Sequence, residues 1–206
     1  LNKKERNNTM KKFTILVGKS ASGKDAVRKQ ILKISSYKSI ISTTSRPPRE
    51  GEQEGVDYYF ISKDEFIELI EDGAFAEYRK YNAIDKNDEN VVWYYGTRKN
   101  NKYNEKSKYI TILDLDGARS FIDFYGADNC RVCYIFCNDE ERERRAKEGR
   151  GEDFKQNEWN RRLEDDNKKF ALKRFVEMFR DVETEIFDNI RPNDYKDIAK
   201  DIIARD

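Results

Sequence analysis

Hydrophobic and polar residues alternate along the chain in a way that predicts strands followed by helices. The run Phe13–Val17 is short and largely apolar and ends at a glycine, so it predicts a buried parallel strand. Beyond the next loop, Val27, Ile31 and Ile34 recur at helical spacing and predict a helix over residues 24–34. A strand, a loop and a helix in that order form the first unit of an α/β fold.

The region that follows is polar and predicts little helix. Prolines and glycines between residues 47 and 55 exclude a regular helix there. The segment Asp57–Ile61 predicts a strand because it is rich in aromatic residues. Ser62 and Glu65 have the spacing of a capping box, so they open a predicted helix that ends near Glu71.

The remainder of the chain continues the alternation of strands and helices. Its predicted elements are a hairpin or loop at 79–92, a strand at Tyr109–Leu115, a short helix at Arg119–Tyr125, a strand at Arg131–Cys137, a charged helical pair over 139–166, helical spacing through Phe179, and a final helix from about Asp194 to Ala204. The strand that begins at Tyr109 is expected to present Asp114 and Asp116 near its C-terminal end.

Composition narrows the class of protein. A length of 206 residues fits a single domain. The 41 basic and 40 acidic residues nearly cancel, which argues against a broad nucleic-acid-binding surface. No apolar run reaches the roughly 18 residues of a membrane span, and the N-terminus lacks an apolar signal core. We therefore expect a cytoplasmic protein that binds no membrane, with residues 1–9 as a disordered extension or a cloning remnant before a natural start at Met10.

The cysteines and the lack of histidine exclude several chemistries. Cys130, Cys133 and Cys137 fall in one apolar run, but the chain has no fourth cysteine and no histidine, whereas structural zinc usually needs four such ligands. We expect buried thiols on a core strand of a reduced protein. Without histidine, neither a Ser-His nor a Cys-His nucleophile can be built.

The segment Gly18–Asp25 (GKSASGKD) matches the pattern G-x-x-x-x-G-K between the first strand and the first helix. Glycines let backbone N–H groups converge on phosphate oxygens at a helix N-terminus, and Lys24 is placed to reach the β- and γ-phosphates. Asp25 stands where a serine or threonine usually ligates Mg²⁺. It either holds the metal directly or through water, or is only a carboxylate favoured by the helix dipole.

Two arginines, Arg46 and Arg49, are held three residues apart by prolines, and such a pair can converge on one dianion. With the phosphate-binding loop, the segment Ser42–Phe60 resembles the guanylate kinase family, whose pattern is S-x-T-T-R-x-P-R-x-G-E-x-x-G-x-D-Y-x-F. Ser45 replaces the usual threonine. Further family-like motifs follow in order at Phe75–Tyr78, Tyr94–Thr97, Ile112–Asp116, Glu148–Gly151 and Arg161–Leu163.

The resemblance implies a role for each matching residue. The ATP-binding loop would comprise Gly18, Ser20, Ala21, Ser22, Gly23, Lys24, Asp25 and Ala26. The GMP phosphate would be held by Arg46, Arg49, Tyr58 and Tyr95, and the guanine base by Ser42, Glu77, Thr97 and Asp114. The catalytic cations would be Lys24, Arg46, Arg145, Arg150 and Arg162, with Arg144 and Arg161 left open as alternatives to two of them. Asp25 and Asp116 would lie near Mg²⁺.

The resemblance also implies a three-layer P-loop fold with a parallel core sheet, a small β-rich GMP-binding subdomain and a helical lid. We expect the core at about 10–41, 107–138 and 167–206, the subdomain at 42–100 and the lid at 139–166. The implied reaction converts ATP and GMP, or dGMP, to ADP and GDP with Mg²⁺, in a monomer or homodimer. A related kinase with another phosphorylated acceptor and a silent guanylate-kinase-like binding module are the alternatives.

Overall fold

The structure, a computed structural model, describes residues 11–84, 89–100, 103–104 and 106–205. The extension predicted at residues 1–9 lies outside this part of the chain. The strands are β1 Phe13–Val17, β2 Lys38–Ser39, β3 Thr43–Thr44, β4 Tyr59–Phe60, β5 Phe75–Ile84, β6 Asn90–Arg98, β7 Tyr109–Ile112, β8 Cys130–Phe136 and β9 Glu183–Asp188. The helices are α1 Lys24–Ile34, α2 Lys63–Glu71, α3 Leu115–Tyr125, α4 Asp139–Arg150, α5 Gln156–Lys169, α6 Leu172–Met178 and α7 Asp194–Ala204.

A five-stranded parallel sheet in the order β2-β7-β1-β8-β9 forms the core. Successive side chains of β1 point to opposite faces of this sheet. Ile15 packs with the apolar residues of α3 and α6, whereas Leu16 packs with those of α1 and α7. Because both faces are covered by helices, the three-layer α/β fold predicted from the sequence is confirmed.

A second sheet has the order β4-β3-β6-β5, and the long hairpin β5–β6 accounts for most of it. The segment 79–92, predicted as a hairpin or a loop, contains the end of β5 and the start of β6. Helix α2 covers this sheet through Phe66, whose ring stacks on Phe75 at 4.4 Å. Its predicted capping box is confirmed, since Ser62 and Glu65 each accept the other's backbone N–H.

The strand predicted at Tyr109–Leu115 is too long. Strand β7 ends at Ile112, because the Asp114 carboxylate accepts the N–H of Gly117 at 2.7 Å and caps a helix that begins at Leu115. Asp116 therefore lies in the first turn of α3 rather than on a strand. The predicted helix at Arg119–Tyr125 therefore begins too late, because α3 already begins at Leu115.

Other differences arise at sheet edges. The predicted strand Asp57–Ile61 is reduced to the two residues of β4, and β9 was not predicted at all. Strand β9 lies at the edge of the core sheet and exposes most of its side chains, so it lacks the apolar run that marks the central strands.

The three cysteines are free and buried, as expected for thiols at a core strand. Burial raises the pKa of Cys133 to about 12, so this thiol stays protonated. Within the described residues, no three cysteine or carboxylate side chains converge as a metal site. Among the same residues, every helix is too short or too polar to cross a bilayer.

Candidate functional site

The glycine-rich loop between β1 and α1 is pinned against neighbouring backbone. A Cβ on Gly18 would lie 2.4 Å from the carbonyl oxygen of Ile135, and a Cβ on Gly23 would lie 2.2 Å from the Asn189 amide nitrogen. Both glycines also have positive φ angles, which side chains disfavour. The Asn189 amide donates to the carbonyl oxygen of Ser22 at 2.8 Å. The loop is thus held close to the carboxyl ends of β8 and β9.

Lys24 lies inside this loop. Its ammonium donates to the carbonyl oxygens of Gly18 and Lys19, both at 2.8 Å. Desolvation lowers the pKa of Lys24 to about 8, against the attraction of Asp25 and Asp166. The lysine therefore remains mostly cationic at neutral pH and is positioned to meet an anion held by the loop.

Two charged residues that the sequence analysis did not identify anchor the lid region to the loop. Asp166 on α5 accepts the backbone N–H of Ser20 at 2.8 Å, and the Arg142 guanidinium on α4 donates to the Ser20 carbonyl oxygen at 2.7 Å. Arg142 also pairs with Asp166 and is fully buried. Both residues belong to a segment with many charges, and its pattern does not separate buried from exposed ones.

The structure separates Arg145 from Arg144. Arg145 lies against the loop, where its guanidinium donates to the Ser22 carbonyl oxygen at 3.3 Å. Arg144 is half exposed and pairs with Glu141 and Glu148 on its own helix. Of the two, only Arg145 is placed to act on a group bound in the loop.

Four arginines from two parts of the chain form a cationic cluster: Arg46 and Arg49, which lie between β3 and β4, and Arg150 and Arg162, which lie on α4 and α5. Glu52 joins the first pair, since it binds the Arg46 guanidinium at 2.8 Å and the Arg49 N–H at 2.7 Å. Partial burial, followed by the charges of Arg162 and Arg49, lowers the pKa of Arg150 to about 10. Arg150 and Arg162 of the lid region therefore share one electrostatic environment with Arg46 and Arg49, and this environment favours an anion.

Arg161 and Arg162 both bind Glu158, so the ion pair does not distinguish them. Arg162, however, is the one whose charge lowers the pKa of Arg150. Arg161 is more exposed than Arg162, at 39% against 27% of its side chain. Arg162 therefore belongs to the cluster and Arg161 lies on its outer side.

Two tyrosines adjoin the cluster. The rings of Tyr58 and Tyr95 meet edge to face with centroids 5.9 Å apart, and the Arg46 guanidinium lies 5.6 Å from the Tyr58 ring centroid. Burial raises the pKa of Tyr58 to about 12, so its hydroxyl is a hydrogen-bond donor at neutral pH.

A buried carboxylate and two hydroxyls lie on the hairpin and the neighbouring strand. Glu77 on β5 is 5% exposed and accepts the Thr97 hydroxyl from β6 at 2.7 Å. The Ser42 hydroxyl lies 3.5 Å from that of Thr97. Burial raises the pKa of Glu77 to about 7, and the Thr97 bond opposes that rise.

Asp114, the N-cap of α3, lies close to Glu77. A Cβ on Gly117 would lie 3.0 Å from an Asp114 oxygen and 3.1 Å from a Glu77 oxygen, so both carboxylates approach this glycine. The second Asp114 oxygen accepts the hydroxyl of Tyr81. A ligand edge with adjacent N–H donors can therefore meet two oriented carboxylates here.

The two predicted metal ligands differ in their fit. Asp25 follows Lys24 directly, is 73% exposed and has a 3.3 Å contact with Arg28. Because Mg²⁺ is usually bound by one or two carboxylates together with water and phosphates, Asp25 fits such a ligand. Asp116 fits poorly, since the Arg174 guanidinium binds its carboxylate at 2.6 Å.

A parallel sheet whose first strand leads into a glycine-rich loop and a helix, faced by clustered arginines, defines a P-loop protein. The model of the guanylate kinase family matches residues 10–197. The chain therefore belongs to the guanylate kinase family, which confirms the resemblance seen in the sequence.

Individual relatives agree with this assignment. The chain is 38% identical over 113 residues to a guanylate kinase of Prochlorococcus marinus (strain MIT 9312), which covers 53% of this chain and 56% of the relative. It is 45% identical over 85 residues to a guanylate kinase of Listeria monocytogenes serotype 4b (strain F2365), which covers 40% and 37%. The matched regions thus span 56% and 37% of the lengths of these two relatives.

A solved structure supports the fold. The crystal structure of guanylate kinase from Anaplasma phagocytophilum matches with a TM-score of 0.65, and the match covers 95% of this chain and 84% of that one. Sequence identity is 18%, so this likeness bears on the fold alone.

Proposed function

We propose that this protein transfers the γ-phosphate of ATP to GMP, and to dGMP, giving ADP and the nucleoside diphosphate. The observation that carries the proposal is the pair of carboxylates, Glu77 and Asp114, that both approach Gly117. Guanine presents N1–H and an exocyclic amine on one edge, which two such acceptors match. Membership of the guanylate kinase family supports the same substrate pair.

The phosphates would bind at the two cationic features of the site. Lys24 and the backbone N–H groups of the glycine-rich loop would hold the β- and γ-phosphates of ATP. Arg46 and Arg49, with the hydroxyls of Tyr58 and Tyr95, would hold the GMP phosphate. This arrangement would place the two nucleotides on opposite sides of the arginine cluster.

In the reaction, an oxygen of the GMP phosphate attacks the γ-phosphorus, and the bond from that phosphorus to the β,γ-bridging oxygen breaks, so that ADP leaves. The acceptor oxygen is already anionic and needs no general base. Arg145, Arg150 and Arg162 would neutralise the charge that spreads over the transferring group. Catalysis would then consist of alignment and electrostatic stabilisation.

The base pocket accounts for selectivity. As an anion, Glu77 accepts from N1–H and from the exocyclic amine of guanine, while the hydroxyls of Ser42 and Thr97 can serve O6. Adenine lacks this pair of adjacent donors and would leave a buried carboxylate unpaired. We expect the kcat/KM for AMP to be lower than that for GMP by about 10²-fold or more for this reason.

Mg²⁺ would enter with ATP, with Asp25 as its protein ligand, and would neutralise phosphate charge when bound. We also propose a core at about 10–41, 107–138 and 167–206, a GMP-binding subdomain at 42–100 and a lid at 139–166. We further propose that the protein acts in the cytoplasm as a monomer or homodimer. It would need no nucleic acid or membrane.

A panel of acceptors tests the proposal. Purified protein is incubated with ATP, Mg²⁺ and one of GMP, dGMP, AMP, UMP or a phosphorylated sugar, and the products are separated by chromatography. We expect GDP and dGDP from the guanine nucleotides and little product from the others. A protein that binds ATP but converts only a different acceptor would reveal another kinase, and one that converts none would be a silent binding module.

A further inference from the structure

Each carboxylate of the base pocket is held by a hydroxyl from the same hairpin. Thr97 donates to Glu77, as described above, and Tyr81 donates to Asp114. Glu77, Arg79 and Tyr81 are alternate residues of β5, so their side chains lie on one face of the hairpin. This face packs against α3, where Asp114 is the N-cap. The hairpin thus brings Tyr81 to Asp114.

The two hydrogen bonds of Asp114 fix its orientation. One oxygen accepts the N–H of Gly117 at 2.7 Å, and the other accepts the Tyr81 hydroxyl. A carboxylate oxygen has two acceptor positions, so each keeps one for a further donor. The carboxylate is 13% exposed, which strengthens its polar contacts. The Arg79 guanidinium lies 3.8 Å from the same oxygen that accepts the Gly117 N–H. Without Tyr81, the helix cap and this longer ion pair would remain, and both act on that oxygen rather than on the one that Tyr81 holds.

The Tyr81 ring is itself held in place. It meets the Tyr95 ring edge to face with centroids 5.5 Å apart, and the Lys169 ammonium at the end of α5 lies 4.8 Å from its centroid. These contacts need the ring but not the hydroxyl. The hydroxyl is therefore a separable part of the side chain, directed to Asp114.

We infer that Tyr81 is a positioning residue that orients Asp114 to accept the exocyclic amine of guanine and so sets the preference for guanine over hypoxanthine. This inference rests on the proposed function. Guanine and hypoxanthine nucleotides share N1–H and O6 and differ only in the 2-amino group. The ratio of kcat/KM for GMP to kcat/KM for IMP therefore measures the contact with that group.

The variant Tyr81→Phe removes the hydroxyl and keeps the ring. We expect the KM for GMP to rise about tenfold, the range for a lost hydrogen bond to a charged group, while kcat and the KM for IMP stay within about twofold. The preference for GMP over IMP should fall accordingly. Tyr78→Phe is the matched control, because Tyr78 lies on the same strand, points to the other face and is 44% exposed. Tyr78→Phe should leave kcat and KM unchanged for both GMP and IMP.

Asp114→Asn provides a second arm that does not depend on folding of the first variant. Asparagine still caps a helix but offers one acceptor oxygen instead of two. We expect Asp114→Asn to reduce the preference for GMP over IMP about tenfold, since Glu77 still accepts from the guanine amine, and Tyr81→Phe to add no more than about twofold in that background. A full effect of Tyr81→Phe without Asp114, or an unchanged GMP preference in Asp114→Asn, would overturn the inference.

Wild-type turnover of GMP separates the two levels of the argument. If the wild-type protein does not phosphorylate GMP, the proposed function fails and this inference fails with it. If it does, and Tyr81→Phe keeps its GMP-to-IMP ratio or shifts KM equally for both nucleotides, only the inference is wrong.

Discussion

The phosphate-binding loop and the base pocket are built differently. In the loop, groups that would bind phosphate already form hydrogen bonds within the protein. Lys24 donates to the carbonyl oxygens of Gly18 and Lys19, and the Ser20 N–H donates to the Asp166 carboxylate. In the pocket, Glu77 and Asp114 are oriented by hydroxyls and keep free acceptor positions.

This difference implies a different cost of binding on each side. ATP must replace contacts of the loop with contacts to its phosphates, so part of its binding energy is used in that exchange. The base of GMP meets groups that already have their orientation, which favours selectivity over adaptation. We therefore expect variants of the loop to affect turnover most and variants of the pocket to affect choice of acceptor most.

The largest effect is expected from Lys24→Met. Loss of the ammonium that donates to the backbone of the loop should lower kcat about 10³-fold, because charge on the transferring phosphoryl group is no longer stabilised. Steady-state ADP release measures it. Lys29→Met, at an exposed position of the same helix, is the control and should retain wild-type activity. A loss below tenfold in Lys24→Met would contradict the role of the loop.

The next effect is expected from Glu77→Gln. Its amide cannot accept from both guanine donors as a carboxylate does, so kcat/KM for GMP should fall about 10²-fold. The ratio of GMP to AMP turnover should fall by a similar factor. Glu68→Gln, an exposed carboxylate on α2, serves as the control. If GMP selectivity survives Glu77→Gln, the pocket does not read the base through this residue.

Stability should separate Asp166 from its neighbour Asp165. Asp166→Ala leaves the fully buried Arg142 without its most buried partner and should reduce the free energy of unfolding by about 3 kcal/mol. Asp165 pairs with Lys169 at the surface, so Asp165→Ala should cost less than about 1 kcal/mol. Denaturant unfolding of both variants measures the difference, and equal losses would show that the contact with the loop contributes little.

The two sides should also titrate separately. Because burial raises the pKa of Glu77 to about 7, the pocket gains its anion as pH rises, so kcat/KM for GMP should increase up to tenfold per unit below that value. Because desolvation lowers the pKa of Lys24 to about 8, the loop loses its cation above that value and kcat/KM should decline. Glu77→Gln should flatten the acidic limb alone; a profile unchanged by this variant would assign that limb to another group.

The smallest effect is expected at Ala21, which adopts a φ of +58° within the loop. A left-handed conformation costs an alanine about 1 kcal/mol, which glycine avoids, although glycine also makes the unfolded chain more flexible. Ala21→Gly should therefore raise the free energy of unfolding by no more than about 1 kcal/mol. Thermal unfolding tests this, and a clear loss of stability would show that the Ala21 methyl group has packing that outweighs the strain.

The sequence predicted the elements with regular periodicity and the motifs with fixed spacing. Helices α1 and α7 and strand β1 have the predicted bounds, because their apolar residues recur at the period of the element. Strand β9 was missed, since most of its side chains are exposed at a sheet edge. The glycine-rich loop was found because its glycines are required by close approach of the backbone.

Residues that act through tertiary contacts could not be predicted in this way. Arg142, Asp166 and Tyr81 each find their partners on another element more than 20 residues away. In the sequence, Arg142 is one arginine among many in a charged segment, and only the packing of α4 and α5 against the loop decides that it is buried. The structure likewise placed Arg145 and Arg162, where the spacing of the lid motif had left two choices each.

The most direct test of phosphoryl transfer to GMP is a competition. The protein receives ATP labelled in its γ-phosphate, Mg²⁺ and equal concentrations of GMP and AMP, and the labelled products are separated. We predict label in GDP, at least about 10²-fold above that in ADP formed from AMP. Label distributed equally between the two diphosphates, or none in either from a folded protein that binds ATP, would contradict the account.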